Sequence, residues 1–194
     1  PLASNSPEAS IMSELLSDAI NEHLNSLSYA AALAGAGFSA QATQSGITLQ
    51  FSGYHRSLIP LVDQVLENLP IRLIDEATWS RLRQLKSQGL ARVQAAKPSN
   101  RLFDEMTAGL MPLAYSNEEL EEAFDSIDRQ TFHQYQKAFF SGLTTEMFLH
   151  GPVSRDEGET LLRSWIQKLP IDQSIPDVKV TTNPWRGDTH YIFF

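Results

Sequence analysis

The chain has 194 residues, of which 42% are hydrophobic and 20% are charged. This composition predicts one folded domain with a sizeable core and excludes a disordered tail. The net charge of −8, with no stripe of Lys and Arg, excludes a nucleic-acid-binding protein. There is no cysteine, so disulfides, thiolate metal sites and thiol nucleophiles are excluded. No apolar run approaches the roughly 20 residues that span a bilayer.

The two ends of the chain predict that it is an excerpt of a longer protein. The first residue is Pro1 rather than Met, and the last six residues (THYIFF) form an aromatic strand pattern that stops with no turn or polar cap. We therefore expect residues 1–194 to be a single domain taken from a longer polypeptide.

The first predicted element is a helix that begins at Pro7. Ser6 fits the N-cap, Pro7 fits the first helical position, and Glu8 places an acid where the helix dipole favours it. Apolar residues then recur at helical spacing and define the side of the helix that should be buried: Met12, Leu15, Leu16, Ala19, Ile20, Leu24 and Leu27.

A β-hairpin is predicted after a second helical piece, Tyr29–Leu33, which ends at Gly35 and Gly37. Apolar and polar residues alternate along both strands, and a two-residue loop at Gln44-Ser45 or Ser45-Gly46 keeps the apolar residues on one face. Because two such strands are not stable alone, helices must cover that face. The apolar positions are Phe38, Ala40, Ala42, Ile47, Leu49 and Phe51.

The helix after the hairpin should bury Leu58, Val62, Val65 and Leu69. It contains Pro60, which we expect to be tolerable only if the helix starts near Ser57. Two later helices are predicted from Asp75 to about Ala96 and from Ser99 to near Gly109. A third begins at a capping box, Ser116-Asn117-Glu118-Glu119, and a fourth contains the apolar residues Phe132, Tyr135, Ala138 and Phe139. A fifth runs from a capping box, Ser154-Arg155-Asp156-Glu157, to Lys168. Strands are predicted at Thr145–His150, at Val178–Thr182 within a loop at Gln173–Asp188, and at Thr189–Phe194.

Four motifs carry a resemblance to a known family. Tyr29-Ala30, Ala34-Gly35 and Gly53-Tyr54 frame the hairpin, and FLHGPVSRDEGETLL follows later, with Pro152 where the family usually has Asn. In this order they resemble the M16 metallopeptidases (the pitrilysin and insulinase group and the protease of pyrroloquinoline quinone, PQQ, biosynthesis), and more narrowly the third of their four homologous domains.

The resemblance implies an α+β fold of the kind shared by LuxS-like and mitochondrial-processing-peptidase-like metallohydrolases. In this two-layer fold, helices pack on one face of a mostly antiparallel sheet. The family domain begins with a strand ahead of the first helix, and that strand is missing here. The sheet edge that it would occupy is expected to be exposed, filled by a neighbouring molecule or domain, or filled by a further segment of the parent chain.

No catalytic or metal-ligating residue is predicted in this chain. The active M16 domains carry His-x-x-Glu-His on the first helix, because two imidazoles one turn apart bind zinc and the Glu activates the bound water. The corresponding helix reads MSELLSDAINEHL, and His23 is its only histidine. The resemblance therefore places zinc in the catalytic domain of the parent protein and none in this chain.

Several polar residues have both a structural and a functional interpretation. We expect Glu22-His23 to be a helix-end contact rather than a ligand pair, and His150 to lie at a strand end. Asp125 and Asp128 are expected to cap a helix. The acids Glu118, Glu119, Glu121 and Glu122 are expected to form a solvated face, the alternative being a surface that steers a peptide.

The polar face of the hairpin is the candidate peptide-facing surface. It comprises Ser39, Gln41, Thr48 and Gln50, and it faces either solvent or the peptide substrate.

These observations predict a non-catalytic domain of a zinc-dependent M16 endopeptidase. It would form chamber wall and interdomain surface, with other M16 domains of the same polypeptide and a peptide substrate as partners. The alternative is an inactive partner subunit or a stand-alone interaction module. An unrelated hydrolase is disfavoured because no Gly-x-Ser-x-Gly is present. The localisation, bacterial cytoplasm or periplasm, is left open, as is whether the parent is a PQQ-biosynthesis protease or a general one.

Overall fold

The computed structural model describes residues 5–69, 73–110, 113–141 and 145–169, with only the main chain at Gln94. In chain order the elements are α1 (Pro7–His23), α2 (Asn25–Leu33), β1 (Ala36–Thr43), β2 (Gly46–Gly53), α3 (His55–Glu67), α4 (Glu76–Gln94), α5 (Pro98–Leu110), α6 (Asn117–Ser126), α7 (Arg129–Ser141) and α8 (Arg155–Ile166). Within these ranges no helix combines the length and the apolar character that a membrane span needs.

Helix α1 lies at the centre of the hydrophobic core. The Ser6 hydroxyl caps its first turn by accepting the N–H of Ala9 at 3.1 Å, which confirms the predicted start. Its apolar side packs against β1, α4, α6 and α7, and Ile11, Leu15 and Leu16 are completely buried. Each such side chain contributes roughly 1.5–3 kcal/mol through removal from water, so this helix supplies much of the stability of the domain.

The hairpin has the predicted register. Thr43 lies opposite Gly46 and Phe38 lies opposite Phe51, so Gln44 and Ser45 form the two-residue loop. All six apolar positions lie on one face, which packs on the core beneath α1 and α3. The helices therefore cover the face that the alternation marked for burial, and the two Phe rings contact each other at a centroid distance of 5.2 Å.

The outer edge of β1 is closed at its centre by a side chain of α1. Asn21 donates from Nδ2 to the carbonyl oxygen of Ala40 at 2.8 Å, and Oδ1 of Asn21 accepts the N–H of Ala40 at 2.8 Å. Ala40 is only 3% exposed, so water does not satisfy these main-chain groups. The amide of Asn21 thus takes the place that a residue of an adjacent strand would occupy.

The predicted caps of the later helices are confirmed. Asp75 accepts the N–H of Thr78 at 2.8 Å at the start of α4, and Ser116 forms a complete capping box with Glu119 on α6. Ser154 caps α8 by accepting the N–H of Glu157, so the cap is confirmed there, but the complete capping box predicted at both helices is observed only on α6. These local contacts set the helix starts, after which packing decides the orientation of each helix.

Arg83 of α4 ties α4 to α6. Its guanidinium lies over the Trp79 ring (5.8 Å) and the Phe124 ring (4.6 Å). It also donates from Nη1 to the carbonyl oxygen of Ile127, just beyond α6, at 2.6 Å. A planar cation that stacks and donates at once fixes this contact in direction as well as in distance.

Two predictions about secondary structure are wrong. Thr145–His150 forms no strand: Met147 and Leu149 pack on the core while Phe148 is 54% exposed, so burial alternates as in a strand. However, no strand among the described residues pairs with this segment. Alternation favours an extended chain, but a strand also needs a hydrogen-bonded neighbour.

The second error concerns the start of α3. The helix begins at His55, which places Pro60 in its second turn. Pro60 destabilises α3 only to a limited extent, because it removes a single hydrogen bond, to the carbonyl oxygen of Arg56 on the exposed side of the helix. Similarly, α5 begins at Pro98, one residue before the predicted Ser99. The segments predicted at 173–188 and 189–194 lie outside the described residues.

Candidate functional site

The four residues of the candidate peptide-facing surface lie side by side. Ser39 is opposite Gln50 and Gln41 is opposite Thr48, so their Cβ atoms are about 4.5–5.5 Å apart across the hairpin. Gln41, Thr48 and Gln50 are exposed and Ser39 is partly buried. The result is an uncharged patch of hydrogen-bond donors and acceptors. Contact of this patch with a peptide stays a prediction, with solvent as the alternative.

The residues of α1 do not fit a zinc site. Glu14 is paired with the ammonium of Lys86, and Glu22 is paired with the guanidinium of Arg81. Carboxylates neutralised by cations are poor metal ligands, and His23 is a single exposed imidazole at the end of the helix. Across the described ranges, no three His, Asp or Glu side chains converge as a metal site requires.

The other described histidines have separate structural contacts. His133 Nε2 lies 3.0 Å from a main-chain carbonyl oxygen at the entrance to α4. His55 Nε2 lies 3.8 Å from Glu157 Oε1, which links α3 to α8. His150 stacks on a neighbouring phenylalanine ring at 6.5 Å rather than ending a strand. The fold does not bring these imidazoles together.

The two aspartates near the boundary between α6 and α7 have different roles. Asp128 accepts the N–H of Thr131 at 2.7 Å, and the backbone and side-chain hydrogen bonds from Thr131 lower the pKa of Asp128. The cap prediction is therefore confirmed for Asp128, whereas Asp125 lies inside α6.

The acids Glu118, Glu119 and Glu122 are exposed on α6. Glu121 is partly buried and accepts from Asn117 at 2.9 Å. This arrangement is that of a largely solvated helix face.

An apolar surface at the open end of the hairpin was not expected. Tyr29, Leu33 and Tyr54 are 69%, 77% and 80% exposed. The Tyr54 ring passes within 3.6 Å of the position that a Cβ on Gly35 would take, and Gly35 has a φ of +72°. The sequence signal for this surface was available, since Tyr29 and Tyr54 belong to the Tyr-Ala and Gly-Tyr motifs that carry the resemblance and Leu33 directly precedes the Ala-Gly motif.

Comparison with known proteins gives relatives of one family. Human insulin-degrading enzyme is 27% identical over 142 residues, 73% of this chain and 14% of that protein. The Drosophila melanogaster insulin-degrading enzyme is 27% identical over 147 residues, 76% of this chain and 14% of that protein. The chain thus spans about one seventh of the length of these relatives.

A solved structure shows the same fold. The crystal structure of pitrilysin superposes with a TM-score of 0.72 at 20% sequence identity, covering 93% of this chain and 19% of that chain. The predicted α+β fold of the M16 peptidase-like type is thereby confirmed. The family model described as "Middle or third domain of peptidase_M16" matches residues 1–123, more than half of the chain. The chain therefore belongs to the M16 peptidase family, in which it corresponds to the middle or third domain.

Proposed function

We propose that this chain is a non-catalytic domain of a zinc-dependent M16 endopeptidase and that it supplies chamber wall and interdomain surface around a peptide substrate. The observation that carries the proposal is the match of residues 1–123 to the middle domain of the family. The ion pairs of Glu14 and Glu22 on α1 support it, since they occupy carboxylates that a metal site would need. Zinc and peptide-bond hydrolysis would then belong to another domain of the same polypeptide.

Within this proposal, the polar face of the hairpin contacts the substrate. Ser39, Gln41, Thr48 and Gln50 offer hydroxyl and amide groups that hydrogen-bond to a peptide main chain of any sequence. A neutral patch neither attracts nor repels charged substrate residues, so it suits a chamber that accepts varied peptides. The assignment to the PQQ-biosynthesis branch stays a prediction.

The proposal is tested by separating the domain from its neighbours. We expect the 194-residue chain alone to leave a fluorogenic peptide intact and to hold no stoichiometric zinc after purification. The whole polypeptide that contains it should hydrolyse the same peptide and lose this activity with a chelator. One tightly held zinc per chain, together with hydrolysis by the chain alone, would overturn the proposal.

The hairpin contact is tested by Gln50→Arg in the whole polypeptide, with Gln84→Arg on the exposed side of α4 as the matched control. Loss of a hydrogen bond worth about 0.5–1.5 kcal/mol should raise KM roughly 2–10-fold and leave kcat unchanged. Gln84→Arg should change neither constant. Identical KM values for both variants would show that the hairpin face meets only solvent.

A further inference from the structure

Helix α5 has an unusual relation to the rest of the domain. It is a regular helix of 13 residues with no buried side chain, and Ala108 is the only one of its residues that is even partly buried. No other described element packs closely along it. A helix of this length is marginal in isolation, so its stability requires a packing partner.

The apolar side of α5 is largely exposed. Leu102, Phe103, Met106 and Leu110 share one face by helical spacing and are 60%, 67%, 48% and 77% exposed. Ala108, at 100° per residue, lies on the opposite side of the helix. We call these four exposed side chains the α5 stripe.

Two of the three α5 side chains that line the groove towards α4 are polar. The shallow groove between the two helices is lined by Asn100, Phe103 and Asp104 from α5, by Arg92 and Val93 from α4, and by Ala96, which follows α4. The helix therefore turns Asn100 and Asp104 towards its own domain, Phe103 borders both sides, and Leu102, Met106 and Leu110 are left exposed. This is the reverse of a helix that packs on its own core.

We propose that the α5 stripe docks onto an apolar surface of a neighbouring M16 domain in the same polypeptide, an inference that rests on the proposed function. The relatives support a linked partner, because the chain spans only 14% of the human protein. The four side chains expose about 500 Å² together, taking about 200 Å² for each when fully exposed.

The size of the stripe favours a linked domain over a second copy. Interfaces between domains of one chain bury about 600–1,500 Å² in total, or about 300–750 Å² per side. A stable dimer of separate chains needs about 800 Å² per partner. A patch of about 500 Å² lies within the range for linked domains and below the area that a dimer of separate chains needs. Linked domains need less area because the linker holds them at an effective concentration of order mM.

The test uses a thiol placed on the stripe. The chain has no cysteine, so Met106→Cys introduces a single thiol into this domain, and Glu105→Cys places the control thiol on the neighbouring polar side of α5. Each variant is treated with a maleimide in the whole polypeptide and in the 194-residue chain, and the α5 peptide is quantified by mass spectrometry. Oxidation of the native Met106 by peroxide gives the same comparison without a substitution.

We expect the Met106→Cys thiol to react at least about tenfold more slowly in the whole polypeptide than in the 194-residue chain, with less than about threefold change for Glu105→Cys. Equal reactivity of the two thiols in the whole polypeptide would overturn the docking inference. Continued peptide hydrolysis in that case would leave the proposed function intact. Protection in the 194-residue chain that rises with concentration would identify a second copy as the occupant and would also overturn it.

Discussion

Removal of the Asn21 amide tests how the edge of β1 is held. Asn21→Ala leaves the N–H and the carbonyl oxygen of Ala40 without partners at a residue that is 3% exposed. Each buried group left unpaired costs about 1–3 kcal/mol, whereas the better helix propensity of alanine returns about 0.5 kcal/mol. We therefore expect the free energy of unfolding to fall by about 2–5 kcal/mol.

The measurement is urea unfolding followed by far-UV circular dichroism. Asn68→Ala is the matched control, because Asn68 donates a single exposed hydrogen bond to the carbonyl oxygen of Gln64 at 2.7 Å; its loss should cost less than about 1 kcal/mol. Sedimentation should also show more self-association for Asn21→Ala, since it frees a strand edge. If Asn21→Ala is no less stable than Asn68→Ala, the amide does not hold the edge.

Three further predictions concern stability. Gly53→Ala should cost more than about 2 kcal/mol, because φ is +148° and the new Cβ would lie 2.8 Å from the main chain of β1. Gly89→Ala, in open space on α4, should instead raise the free energy of unfolding by about 0.5–1 kcal/mol. Equal changes in the melting temperatures of the two variants would contradict this prediction. Hydrogen bonds lower the pKa of Asp128 from 3.8, so its contribution is present above the unfolded pKa and is lost as pH falls through the folded pKa. The difference in urea midpoint between wild type and Asp128→Ala should be large at neutral pH and shrink in strong acid, and a constant difference would contradict this. Asp63 accepts hydrogen bonds from Trp165 of α8 at 3.2 Å and from Lys168, just beyond α8, at 2.7 Å. Asp63→Ala should therefore lower the urea midpoint of unfolding, followed by tryptophan fluorescence, more than Glu67→Ala, which loses only an exposed contact. Equal shifts would count against this prediction.

The hairpin and the helix caps were predictable because their causes are local. A period of two in Phe38, Ala40 and Ala42 and in the following strand, joined by a two-residue loop, permits one register that buries one face. Ser6 and Ser116 reveal helix starts because a hydroxyl satisfies amides only two or three residues away. The location of the polar face of the hairpin follows from the same register.

The features that escaped prediction depend on contacts distant in sequence or on a tolerated local cost. In the sequence, Asn21 is an ordinary polar residue of α1, and its contact with Ala40 is formed only when the chain folds. Pro60 was expected to prevent α3 from starting before Ser57, yet packing of the helix compensates for the loss of one exposed hydrogen bond. Leu102 and Phe103 have the spacing of a core stripe, and periodicity does not reveal which side of a helix faces its own domain. The ligand of the hairpin face likewise depends on domains outside these residues.

The two ion pairs between α1 and α4 have a consequence for anyone who would engineer hydrolytic activity into this domain. Writing two histidines and a glutamate into α1 would place a dication beside Lys86 and Arg81, whose side chains already contact that helix. The added positive charge would be repelled by these two cations, and it would lower further the pKa of Lys86, which burial already lowers. Such a redesign has to begin on α4, by removing the cations, before any ligand is added to α1.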